Sequence, residues 1–292
     1  MLGHAACRSG EYTEYAAHSE GLYRLVKVCR SGGAPMATDI LRAVFWQDIT
    51  CAEVIDAVRR FCDADFPALF DQRLQLTHKP ERDLPFGFAL HQEAIPHDVI
   101  LCIQDIASIQ TTIATEAVEP VAVDNIRASI VSRLVLLQQP SQTLGPIAEC
   151  CRLAAYIVCY VSYQAASKDY FIPVRLSEKL LLILDNTIPS DIWSCRRDLL
   201  LWLVFVGSSA SRANLQSTCP IEPRYQDILE RVLQWAKTWD DMQEGKLILE
   251  TMKTGFVYAD DWINQRYWIP YWADLERLIS ERQSADEERA QC

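Results

Sequence analysis

The sequence predicts an all-α protein, an irregular assembly of roughly eight to ten helices, on three observations. Apolar residues recur at i, i+3, i+4 and i+7 along most of the 292 residues. Strand-type alternation is scarce, and no tight Asn-Gly or Asp-Gly turn joins two apolar runs. Gly and Pro fall between the periodic stretches, where helices stop. Composition agrees with a globular core: 50% of residues are hydrophobic and 23% charged, which excludes disordered and fibrous architectures.

Taken in order, the first helix carries Leu22, Leu25, Val26 and Cys29 on one face and stops at Gly32-Gly33, with Pro35 behind. A second is capped by Thr38 or Asp39 and carries Leu41, Val44, Phe45 and Trp46, continuing toward Val54, Val58 and Phe61. Residues 63–96 hold Pro67, Pro80, Pro85 and Pro96 and read as an irregular connector with short turns. Helical patterns return at Val99–Thr112, Val121–Leu137 and Pro146–Ala166, and an apolar stretch at Leu176–Leu184 closes at Asn186 and Pro189. Ser190 or Asp191 caps a helix through Trp193, Trp202 and Val206, apolar on nearly every side and therefore central. Further helices follow over Tyr225–Trp239, between Gly245 and Gly255, and over Trp262–Glu281, the last broken by Pro270. Residues 1–17 form a short leading segment, 18–280 one helical domain and 281–292 a polar tail.

Charge and cysteine usage narrow the function classes. With 28 Lys+Arg against 39 Asp+Glu the net charge is −11, which speaks against direct nucleic-acid binding, since that affinity rests on cations meeting phosphates. The eleven cysteines show no zinc-type spacing and several lie in apolar runs, the usage of buried thiols in a reducing compartment. No signal-peptide core opens the chain, and the longest apolar runs fall short of the roughly 20 residues a membrane crossing needs. A cytoplasmic or nuclear protein with no membrane partner is expected.

Several stretches resemble one family. H-S-E-G-L-Y-R-L-V-K-V-C-R-S-G-G (His18–Gly33) resembles the opening helix of the fungal-specific transcription factor regulatory domain, and L-R-A-V-F-W-Q-D (Leu41–Asp48) its next helix. D-L-L-L-W-L-V-F-V-G-S-S-A (Asp198–Ala210) is similar to the family's central apolar helix, and W-I-P-Y-W-A-D-L to its C-terminal part. The resemblance runs from about residue 18 to 277 and implies an all-α regulatory scaffold. Such regulators carry an N-terminal binuclear zinc cluster. Here 17 residues precede His18 with one cysteine, Cys7, and one basic residue, Arg8, so the scaffold is expected without its DNA-reading module.

The chemistry-bearing patterns are few. Asp240-Asp241-Met242-Gln243-Glu244 and Asn214, Thr218, Glu222 mimic the two magnesium motifs of class I terpene cyclases, but in reversed order and with Pro220 breaking the second. They read as a solvated helix end. His91, Glu93, His97 and Asp98 lie in the connector without an i, i+4 histidine pair, and read as a surface loop. No hydrolase, zinc-protease, P-loop or dinucleotide motif occurs, so neither a metal nor a cofactor is expected.

The aromatic inventory remains. Tyr156, Tyr160 and Tyr163 share one face of an apolar helix, and Trp193, Trp202 and Trp239 load the C-terminal half. Most such rings simply pack, but phenols on a buried face need partners, and an aromatic wall with a few polar groups is the usual form of a ligand pocket. Arg42, Arg196, Arg197 and Asp198 can supply fixed charge there or pair at helix ends. The function expected is a module that binds a hydrophobic small molecule or a protein partner, tied through the resemblance to fungal secondary metabolism. The alternative is a cofactor-free pericyclase of Diels-Alderase type, folding a polyketide or terpenoid by shape and one fixed charge or hydrogen bond.

Overall fold

A computed structural model describes residues 12–33, 36–54, 58–70, 83–115, 119–138, 144–162, 171–211, 224–225, 227–228, 230–231 and 255–257. Every regular element among them is helical and none is a strand, as the apolar period predicts. In chain order the helices are α1 (Tyr12–Ser31), α2 (Thr38–Val54), α3 (Pro67–Phe70), α4 (Phe86–Ala89), α5 (His97–Thr115), α6 (Pro120–Leu136), α7 (Pro146–Ser162), α8 (Phe171–Thr187) and α9 (Arg197–Ser209). Short 3₁₀ turns occupy Asp63–Asp65, Gln92–Ala94 and Asp191–Trp193. None of the described helices is long and apolar enough to cross a membrane. The chain divides into two compact units, one of Met1–Pro80 with Ile109–Leu144, the other of Glu81–Ser108 with Gly145–Cys292.

In the first unit, α1 begins at Tyr12, inside the leading segment 1–17. It stops where the glycines predict: Gly32 and Gly33 donate their N–H groups to Val28 and Arg30, and Gly33 takes a φ of 69°. The buried face differs from the expected one. Tyr15, Ser19 and Val26 are enclosed, while Leu25 is 58% exposed. The cap of α2 also moves by a residue, because the Ala37 carbonyl receives the N–H groups of Ile40 and Leu41. Pro120 opens α6 at a position where a missing N–H costs nothing.

The core of this unit is aromatic. Phe45 meets Phe66 and Phe70 edge to face at 5.4 and 5.7 Å, and Phe61 meets Phe66 at 5.6 Å. Arg30 ties the turn at Asp63–Asp65 to the end of α1 by pairing with the Asp65 carboxylate and donating to its carbonyl at 2.6 Å. Burial alone would raise the Asp65 pKa, but bonds from the Cys62 N–H and thiol and from Arg30 outweigh it and hold the carboxyl below its usual range.

In the second unit α7, α8 and α9 pack on one another, and α4 rests on α9. Every residue of α7 from Cys150 to Tyr160 is buried, as is every residue of α9 from Asp198 to Ser209. The latter is the central helix expected from its composition. Its start is different: Ser190 precedes the 3₁₀ turn, and the helix proper begins at Arg197. The stretch expected over Leu176–Leu184 belongs to a longer α8 that takes Pro173 into its first turn, where proline is tolerated. Of the helix expected over Tyr225–Trp239, positions 225, 227, 228, 230 and 231 are described, and all are helical.

Candidate functional site

A stretch of helix enclosed on every side should carry no charge, and the buried stretch of α7, Cys150–Tyr160, carries one. Arg152 is 0% exposed. Its Nε and Nη2 donate to the two oxygens of Glu149, both at 2.8 Å, in a two-pronged pair one turn apart. The Glu149 side chain is 24% exposed, so the carboxylate reaches toward water while the guanidinium lies inside. One turn on, at i+4 and i+8 from Arg152, come Tyr156 and Tyr160, both buried, with ring centroids 6.4 Å apart and planes tilted by 59°. Glu149, Arg152, Tyr156 and Tyr160 thus make one polar row along α7, by the helical period that aligns i, i+3, i+7 and i+11. Cys150 and Cys151 flank it. Burial pushes the Cys151 thiol up to about 12, and burial, then Cys151 and Glu149, push Cys150 well above the ordinary range.

A second polar contact closes the start of α9. His91 Nε2 lies 2.8 Å from Asp198 Oδ1, both side chains buried. One turn along, the ring of Phe88 meets Trp202 edge to face at 4.9 Å, and Phe256 stacks on Trp202 at 5.7 Å. The Trp202 indole N–H donates to the Val257 carbonyl at 2.9 Å. His91 with Phe88, against Asp198 with Trp202, makes two rungs that fix the 86–94 segment on α9. Arg196 adds a third contact at the rim, donating to Glu93 at 3.2 Å.

The residues expected at a site fare differently. Tyr156, Tyr160, Trp193 and Trp202 are all in the second unit and buried. Trp193 is a packing residue whose indole N–H donates to the Thr187 hydroxyl at 3.1 Å. Arg42 belongs to the first unit, where it pairs with Asp124 and donates to Asn125 at 2.8 Å. Tyr163, Trp239, the acidic run 240–244 and Asn214, Thr218 and Glu222 lie outside the described residues. His91 is corrected from a surface loop to an enclosed position. Among the described residues, no group of three His, Cys, Asp or Glu side chains is placed to hold a metal ion.

Sequence reasoning passed over Arg152 and the His91–Asp198 contact. The first had a signal, a Glu-x-x-Arg pair inside an apolar run. The second joins residues 107 positions apart and had none. No protein-family model, curated protein or solved structure matches the chain.

Proposed function

We propose that this chain is a binding module for a hydrophobic small molecule, received along the polar row of α7. The observation that carries this reading is the Arg152 guanidinium, 0% exposed inside a three-helix core. Enclosing an ion pair seldom adds stability over apolar residues of the same size, so stability alone is a poor reason to keep one. Recognition is a better reason: a fixed charge with two phenols beside it on an apolar wall is how a pocket orients an oily ligand that bears an oxygen or two. The resemblance of His18–Gly33 and Asp198–Ala210 to the fungal regulatory domain supports a binding role over a hydrolytic one.

The same row favours a second reading, the cofactor-free cyclase. Glu149 holds Arg152 in place before any substrate arrives, and a charge that need not reorganise is what stabilises shifting electron density. One experiment serves both. The purified chain is incubated with metabolite extract of its own cells and analysed by mass spectrometry for retained and altered compounds. A retained compound that Tyr160→Phe and Arg152→Met both release supports the module, and a new mass formed only by the wild type supports the cyclase. Retention that survives both substitutions places the ligand elsewhere, and no retention or conversion ends both readings.

A further inference from the structure

Two apolar patches on the surface carry opposite charge. The first is on α1, where Leu25 and Val28 lie one turn apart and are 58% and 67% exposed. Arg24 and Lys27 line one side of them by the same helical spacing, and no acidic residue occurs from Gly21 to Gly33. Arg24 pairs with Glu20 at 2.7 Å yet keeps 76% of its side chain in water. Lys27 lies over the Tyr23 ring, 4.6 Å from its centroid, with no carboxylate partner among the described residues. The other arginines nearby are engaged within the unit: Arg60 shares Glu20, Arg30 holds Asp65, and Arg59 lies inside with Asp48 and Asp63.

The second patch is in the second unit. Phe86, Ala89 and Leu90 stand exposed at i, i+3 and i+4 along α4 and its cap, Phe86 by 62%. They cannot turn inward. Phe88 is held against Trp202, and Gly87 sits so close to Phe256 that a Cβ there would stand 2.5 Å from the ring. Asp83 and Glu93 bracket the patch in the chain, both exposed, and no Lys or Arg occurs between Asp83 and Arg127. Arg196 reaches Glu93 at 3.2 Å from the start of α9, but the glutamate side chain stays 67% exposed.

We propose that the Leu25–Val28 patch of one chain receives the Phe86–Leu90 patch of a second copy, head to tail. Each patch carries the charge the other lacks. Setting either patch against its own duplicate would bring like charges together. Crossing them puts Arg24 and Lys27 against Asp83 and Glu93, around four large apolar side chains that water otherwise covers. A contact of this kind is small beside a permanent interface, so it forms and parts with concentration.

The test is sedimentation of the full chain at rising concentration in low salt. The weight-average mass should climb above that of one chain, and added NaCl should weaken the association. Leu25→Gln with Val28→Gln spoils the first patch, and Phe86→Gln with Leu90→Gln the second. Each double variant alone should remain a single chain. Their equimolar mixture should form a complex of one of each and nothing larger, because a single intact contact is left. A wild type that stays single at every concentration leaves the patches to another partner and overturns the proposal. Self-association retained by either double variant overturns it too, as does a mixture that remains single while both variants keep the wild-type circular dichroism. Should a double variant not fold, Lys27→Glu on the exposed lysine decides. It must shift the association to several-fold higher concentration, and an unchanged curve is fatal.

Discussion

At Gly207 a single missing carbon decides how a distant residue docks. A Cβ built there would stand 2.2 Å from the Tyr225 hydroxyl oxygen and 2.7 Å from its Cζ. That hydroxyl is pinned: it donates to the Ser177 carbonyl at 2.8 Å, and the Ser177 hydroxyl donates to the Gly207 carbonyl at 2.7 Å. Gly207→Ala must therefore displace an enclosed ring, at a cost of about 1–3 kcal/mol. Gly21→Ala is the matched control, on a helix with no heavy atom within 4 Å of the new carbon. It should stabilise by about 0.5–1 kcal/mol, the ordinary gain of alanine over glycine in a helix. Urea denaturation of the two variants should move the midpoint in opposite directions, and equal midpoints would refute the docking of Tyr225. Sequence reading sees these glycines unequally. Gly33 ends a periodic run and is followed by another stop signal, so its left-handed turn is legible from its neighbours. Gly207 looks like a weak spot in a good helix until Tyr225, eighteen positions later, is brought against it.

At the scale of one helix, α7 concentrates the difference between pattern and environment. Its residues predict a helix unambiguously, yet nothing local says that both the Arg152 stripe and the opposite face are covered. The same holds for α1, where the apolar period is real but the buried arc runs through Tyr15, Ser19 and Val26 and leaves Leu25 outside. Period fixes the element, and the neighbours decide the face. For α7 this makes the Glu149–Arg152 pair asymmetric. Removing the partner that lies near water, by Glu149→Ala, takes a two-pronged carboxylate from the enclosed Arg152 guanidinium and should cost about 1.5–3 kcal/mol. Removing the guanidinium by Arg152→Met leaves a Glu149 carboxylate that is already 24% exposed and can hydrate, so Glu149 itself adds little to the loss. A double-mutant cycle of Glu149→Ala and Arg152→Met, read by denaturation, should therefore show a coupling of about 1 kcal/mol or more between the two side chains. A coupling near zero would mean that Arg152 does not depend on Glu149, and the proposed binding row would lose its basis.

For the whole molecule the partition of the chain is the least legible feature. The first unit joins residues 1–80 to 109–144, and the second joins 81–108 to everything after 145, a division that periodicity cannot show because it depends on which distant segments meet. Cysteine placement gives an independent reading of that burial. The described cysteines are all free; Cys62 and Cys195 are exposed, whereas Cys51, Cys102, Cys150, Cys151 and Cys159 are buried. Exposure and ionisation both bear on alkylation, since the thiolate is the nucleophile. With its pKa pushed up to about 12 by burial, Cys151 at pH 8 is ionised in roughly one molecule in ten thousand, before access is considered. Brief treatment of the native protein with iodoacetamide, mapped by peptide mass spectrometry, should therefore mark Cys62 and Cys195 and spare the five buried thiols. The labelling of Cys150 and Cys151 should appear only at denaturant concentrations that unfold the second unit. Because these two cysteines lie between Glu149 and Arg152 in the chain, their labelling at the rate of Cys195 in native buffer would show α7 open to solvent. A water-exposed Arg152 would then be an ordinary surface arginine, with no enclosed charge left to orient a ligand.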